Sequence, residues 1–179
     1  MDKELKHISK FMSLVLRHRP GQIGLQLDEE GWADVNELIE KMNAAGAGLT
    51  PGILDTVVTT NDKKRFAFND DKTRIRASQG HSVSVDLGLE PLIPPPLLYH
   101  GTAEKNRDSI FNSGILKGKR THVHLSTDIP TAQQVGSRHG KPVVLVIDAK
   151  AMHKAGLPFY LSANGVWLTG FVAPIYILP

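Results

Sequence analysis

The chain contains no cysteine. Disulfides and thiolate metal sites are therefore excluded, and a reducing, cytoplasmic location is the default expectation. No apolar run approaches the roughly 20 residues of a helical membrane span, and the opening Met1-Asp2-Lys3-Glu4 is polar rather than signal-like, so no membrane association is expected. No Gly-x-Gly-x-x-Gly follows a strand signal and no Gly-x-x-x-x-Gly-Lys-Ser/Thr loop occurs, which removes the support for a Rossmann dinucleotide site or a P-loop. No nucleophile elbow supports Ser-His-Asp chemistry. Acids are scarce in one half only. Residues 97–179 hold four, Glu104, Asp108, Asp128 and Asp148, against nine Lys and Arg, whereas residues 1–96 hold 14 against 12. Paired-carboxylate hydrolysis is poorly served in that second half, and a polyanionic ligand is well served.

What is present describes a folded chain, since 41% hydrophobic and 22% charged residues are ordinary globular usage. Leu5, Ile8, Phe11, Met12, Val15 and Leu16 recur at helical spacing and predict an amphipathic helix over 3–18, ending at Arg19-Pro20-Gly21. Arg17 and His18 fall in its last turn. The helix dipole explains two cations there, and a phosphate clamp explains them equally well. Asp34-Val35-Asn36-Glu37 has capping-box spacing before a second helix, and Thr50-Pro51 opens a third. Strands at Arg65–Phe68 and Thr73–Arg76 follow, and three helices with a basic hairpin are the layout of a winged helix. Pro91-Leu92-Ile93-Pro94-Pro95-Pro96 reads as a stiff extended spacer and the domain boundary. The predicted organisation is a lobe over 1–90, a linker over 91–96 and a lobe over 97–179.

The second lobe alternates strand and helix signals at short range, which predicts an α+β domain with a bent or split sheet. Leu97-Leu98-Tyr99 is a strand ending in His100-Gly101-Thr102, with Thr102 capping a helix through Ile110. Pro142–Ile147 is continuously apolar and predicts a strand buried on both faces, while further strands are expected at 159–161, 166–168 and 172–177. Lys119–Ser126, read as a strand, puts Arg120, His122, His124 and Ser126 on one face and Thr121, Val123 and Leu125 on the other. A cation, two imidazoles and a hydroxyl on one pleat suit an anion with several oxygens. Zinc would need a third ligand beside His122 and His124, and none stands near in sequence, so no metal is expected.

The chain resembles the RNA 2′-phosphotransferase family, NAD-dependent enzymes related to the tRNA-splicing 2′-phosphotransferase. The resemblance is carried by Leu16-Arg17-His18 with Pro20; Asn61–Phe66; Ile75–Ser82; Tyr99-His100-Gly101-Thr102; Arg120–Ser126; and Asn164–Thr169, in that order. It implies an N-terminal winged-helix RNA-binding lobe and a C-terminal NAD-binding lobe of the ADP-ribosyltransferase type. It implies a catalytic set of Arg17, His18, Arg65 and Arg120 acting from both lobes in the cleft between them. It points to His100, Gly101, Thr102, His124, Ser126 and Arg138 as NAD contacts, with RNA bearing a 2′-phosphate as partner and a monomer as the working form. The implied reaction transfers an internal RNA 2′-phosphate to NAD through ADP-ribosylated RNA, giving 2′-OH RNA, nicotinamide and ADP-ribose 1″,2″-cyclic phosphate.

Two departures from related patterns matter. Val166 stands where many ADP-ribosyltransferases keep a catalytic glutamate, and Gly170-Phe171-Val172-Ala173-Pro174 is less polar than the family pattern. Two other readings remain open beside the main one. One is an ADP-ribosyltransferase that caps terminal phosphates of nucleic acid. The other is a winged-helix nucleic-acid-binding protein that senses NAD without turnover.

Overall fold

The computed structural model describes residues 2–179, which divide into two compact units, one ending at Gly88 and the other running from Leu89 to Pro179. The first unit packs three helices against a small sheet. Helix α1 (Lys3–Arg17) buries Ile8, Met12, Val15 and Leu16, the stripe its periodicity marked. Strand β1 (Ala33–Asp34) leads into α2 (Val35–Ala44) and α3 (Pro51–Thr59), and β2 (Phe66–Phe68) and β3 (Arg74–Ala77) close the unit. The three strands form an antiparallel sheet in the order β1-β3-β2, with Phe68 opposite Ile75 and Ile75 opposite Ala33. Leu38, Met42, Leu54, Val57, Phe66 and Ile75 complete the core from the facing elements.

Helix starts follow their caps. Asp34 Oδ1 accepts from Glu37 N at 2.9 Å and Thr50 Oγ1 from Ile53 N at 3.2 Å, satisfying amides that have no partner inside the helix. The reciprocal half of the expected capping box does not form. Glu37 Oε1 instead accepts from Gln26 N at 3.4 Å and pairs with Lys41 Nζ at 3.0 Å, because a cation one turn along competes for it.

The second unit holds β4 (Leu97–Ala103), α4 (Arg107–Ser113), β5 (Ile115–Leu116), β6 (Val123–Leu125), α5 (Ile129–Gly136), β7 (Pro142–Asp148), α6 (Ala149–Lys154), β8 (Tyr160–Leu161), β9 (Trp167–Thr169), β10 (Phe171–Val172) and β11 (Ile177–Leu178). They form three small antiparallel sheets, β11-β7-β4, β6-β9-β8 and β10-β5. Reciprocal backbone bonds between Tyr99 and Ser126, at 2.9 and 2.7 Å, join β4 to the end of β6. Leu98, Val123, Leu125, Leu145, Ile147, Met152 and Phe159 form the core.

Several expectations need correction here. Lys119–Ser126 is not one strand: residues 118–122 turn and bend, and pairing begins only at Val123. Thr102 lies inside β4 rather than at a helix start; a 3₁₀ turn over Glu104–Asn106 intervenes before α4. In β7 only Leu145 and Ile147 are fully buried, so this strand packs one face and leaves Val143, Val144 and Val146 half-buried. The strand expected over 172–177 is broken by a 3₁₀ turn beginning at Pro174, a residue with no N–H for a ladder. In the proline segment Leu92 N donates to Phe159 O at 2.8 Å and Pro96 O accepts from Lys150 N at 3.0 Å.

Candidate functional site

In the first unit, Arg17 ends α1 and His18 is its C-cap. The Arg17 carbonyl and the His18 side chain meet a segment distant in sequence. Ser82 N and Val83 N both donate to Arg17 O, at 2.9 and 3.3 Å, and the Ser82 hydroxyl lies 2.8 Å from His18 Nδ1. An end-of-helix carbonyl that would otherwise rely on water is thus held by two amides. Arg17 is half-buried as a residue, with its Nε and Nη2 out of contact with solvent, and His18 is exposed.

Arg65 precedes β2 on a turn that is itself pinned. The side chain of Asn61, 4% exposed, donates to Ser9 Oγ on α1 at 3.4 Å and accepts from Lys63 N at 3.1 Å, while Asn61 O accepts from Lys64 N at 2.8 Å. From the other side Ser78 N donates to Arg65 O at 2.8 Å and Ser78 Oγ to Lys64 O at 2.9 Å. Residues 78–83 therefore touch both the Arg17-His18 corner and the Lys64-Arg65 turn.

His81 anchors that segment. Its ring is fully buried, and a Cβ on Gly31 would come within 3.2 Å of its Nε2, so the glycine makes room for it. Burial, and then the charges of Arg17, Arg76 and His18, push its pKa down to about 4, so the ring is neutral at pH 7. Arg76 ties the following residues down: its guanidinium stacks 4.4 Å from the Trp32 ring centroid and donates to Glu30 O and Leu87 O.

In the second unit β4 and β6 bring together His100, His124 and Ser126, with Thr102 further along β4 and Arg120 in the bend before β6. His100 Nδ1 donates to His124 O at 3.2 Å, which fixes its tautomer, and burial, the largest cause, lowers its pKa. From that bend Arg120 reaches β6, its Nη1 donating to His124 Nδ1 at 2.8 Å. An arginine can only donate, so His124 accepts at Nδ1. Burial, and then the neighbouring charge of Arg138, lower the pKa of Arg120; Arg138 sits in the 3₁₀ turn after α5. Thr102 is buried and accepts from Asn106 Nδ2 at 3.2 Å. His122, expected on the same face, is engaged elsewhere, edge-on to Tyr160 at 5.6 Å and 3.2 Å from Thr121 Oγ1.

Gly101 has a structural reason apart from any ligand. A Cβ there would lie 1.7 Å from Ala132 O, and one on Gly136 would lie 2.7 Å from Thr102 O, so α5 crosses β4 backbone to backbone. Val166 is held by a tight turn, with Ser162 N donating to Val166 O at 2.9 Å and Val166 N to Ser162 Oγ at 3.1 Å.

Three of the second lobe's four acids are committed: Glu104 pairs with Lys141 at 3.0 Å, and Asp128 and Asp148 cap α5 and α6. Two arginines sharing one neighbourhood, with imidazoles beside them, suit a pyrophosphate or phosphate ligand. Sequence reasoning left Ser82 and His81 without a role. Both lie in a quoted motif, but a contact spanning 64 residues leaves no periodic trace.

Residues 3–170 match the model of a protein family described as "RNA 2'-phosphotransferase, Tpt1 / KptA family". Among curated relatives, a "Probable RNA 2'-phosphotransferase" of Flavobacterium johnsoniae is 59% identical over 96% of this chain and 94% of its own length. A protein of Hahella chejuensis with the same description is 55% identical over 99% and 95%. The "RNA 2'-phosphotransferase" of Escherichia coli K12 is 53% identical over 96% and 94%.

Proposed function

The chain belongs to the RNA 2′-phosphotransferase family, and from that membership we propose that it removes an internal 2′-phosphate from RNA with NAD as co-substrate. The near-full-length family match carries this reading. The donor chemistry of the two residue sets supports it. The first unit is read as a winged-helix RNA-binding lobe, supported by its three helices and β2-β3 hairpin. The second is read as an ADP-ribosyltransferase-type lobe, supported by its small antiparallel sheets and by the acid-poor neighbourhood of Arg120 and Arg138. His100, Gly101, Thr102, His124, Ser126 and Arg138 are assigned to NAD.

In the first step an oxygen of the RNA 2′-phosphate bonds to the anomeric carbon of the nicotinamide riboside as the bond to nicotinamide breaks. Val166 offers no carboxylate there, so the phosphate itself is the strong nucleophile. In the second, the adjacent ribose 2″-hydroxyl bonds to that phosphorus and the bond to the RNA 2′-oxygen breaks. The proton lost by the 2″-hydroxyl ends on the departing 2′-oxygen. His18 is assigned to carry it, and Arg17, Arg65 and Arg120 to hold charge on the crowded phosphoryl oxygens.

The test is incubation with NAD and a short RNA bearing one internal 2′-phosphate, with products followed by mass spectrometry. The expected result is 2′-OH RNA with ADP-ribose cyclic phosphate. His18→Ala is expected to slow the second step by roughly 100-fold or more and to accumulate ADP-ribosylated RNA; Arg120→Ala is expected to slow turnover by about 100-fold. An ADP-ribosylated product as the wild-type end point would instead support terminal-phosphate capping. Nucleic-acid binding without nicotinamide release would support the NAD-sensing reading.

A further inference from the structure

We propose that Ser82 is a positioning residue for His18, holding the imidazole at Nδ1 so that the proton of the second step moves through Nε2. The inference rests on the reaction proposed above and assigns a role inside it. The Ser82 hydroxyl lies 2.8 Å from Nδ1. With the hydroxyl as acceptor the ring is protonated at Nδ1 and Nε2 is left basic, and that tautomer is what the NMR measurement reads. When Nε2 takes the 2″-hydroxyl proton the Nδ1–H bond is unchanged, and the same proton then passes to the RNA 2′-oxygen as its bond to phosphorus breaks. One fixed contact thus serves the ring as base and as acid.

The position of that hydroxyl is set by backbone rather than by its own side chain. Ser82 N and Val83 N grip Arg17 O, and at the other end of the segment Ser78 N and Oγ grip Arg65 O and Lys64 O. Between them the buried ring of His81 fits against Gly31, and beyond them Asp86 N donates to Glu29 O at 2.8 Å. Every one of these holds survives removal of the Ser82 hydroxyl, and the side chain is exposed, so Ser82→Ala isolates the contact to His18.

The experiment pairs ¹⁵N NMR of the His18 ring with single-turnover kinetics on the 2′-phosphorylated RNA, for wild type, Ser82→Ala and Ser82→Thr in the full chain. Ser82→Ala is expected to move His18 towards the tautomer protonated at Nε2, to slow the second step roughly 10-fold, and to build up ADP-ribosylated RNA, with KM for NAD unchanged. Ser82→Thr restores the hydroxyl and is expected to restore both readouts. An active enzyme in which Ser82→Ala keeps the wild-type tautomer, or keeps the wild-type second-step rate, overturns the role of Ser82 alone. A wild-type chain that releases no nicotinamide overturns the proposed reaction, while the tautomer measurement still reports on the contact itself.

Discussion

His81 is a buried imidazole whose two ring nitrogens have no hydrogen-bond partner among the described residues. Such a group is costly to fold and costlier to charge. Its pKa falls from the ordinary 6.5 to about 4, through burial first and nearby cations second. Above pH 6.5 the ring is neutral folded and unfolded, so it adds no pH dependence. As pH falls below 6.5 the unfolded chain takes up a proton that the folded chain refuses, and stability falls by at most about 1.4 kcal/mol per pH unit until about pH 4. Urea denaturation at half-unit steps from pH 7.5 to 4 is expected to show this limb, and His81→Leu is expected to flatten it. An unchanged slope in the variant would mean that another group titrates there.

At the scale of elements, the close crossing of α5 over β4 makes the sharpest prediction. With Ala132 O only 1.7 Å from where a Cβ would sit, Gly101→Ala cannot be absorbed by a side-chain rotation, and the helix must shift. The expected loss is about 3 kcal/mol of stability in denaturant melts. A variant with wild-type stability would show that α5 yields freely. Asp34→Ala, which removes one cap bond, should cost only about 1 kcal/mol. In the sequence the resemblance points to Gly101 as an NAD contact, and the helix that crosses it leaves no local signal. Legibility followed the range of the interaction throughout. The α1 stripe, the Asp34 and Thr50 caps and the β2-β3 hairpin are local and were plain. The bend at 118–122 was not, because alternation of residue types continued after the backbone had left the strand. Arg120 still reaches His124, now through a turn rather than a shared pleat. The Ser82–His18 contact, made between segments far apart in sequence, was invisible.

For the whole molecule, the uneven charge bears on how RNA would be held under the proposed function. The half carrying Arg17, His18 and Arg65 has more acids than bases, 14 against 12, so its net charge gives no general attraction for a phosphate backbone. Under the proposed function RNA is gripped at few points, chiefly by Arg17, Arg65 and Arg120. Three phosphate-neutralising cations on single-stranded RNA give a slope of about −2 for log(kcat/KM) against log[salt], when RNA is subsaturating and NAD saturating. Removing one of them by Arg65→Gln should lower the magnitude of that slope by about 0.7, besides slowing the reaction. The alternative nucleic-acid-binding protein, using many backbone contacts, needs a much steeper dependence. Measuring kcat/KM for the 2′-phosphorylated RNA, together with its direct binding, from about 50 to 400 mM KCl separates them, since the alternative binds without turnover. A slope steeper than about −5, unmoved by Arg65→Gln, would mean that RNA is held by an extended basic surface and that Arg65 is not among its contacts.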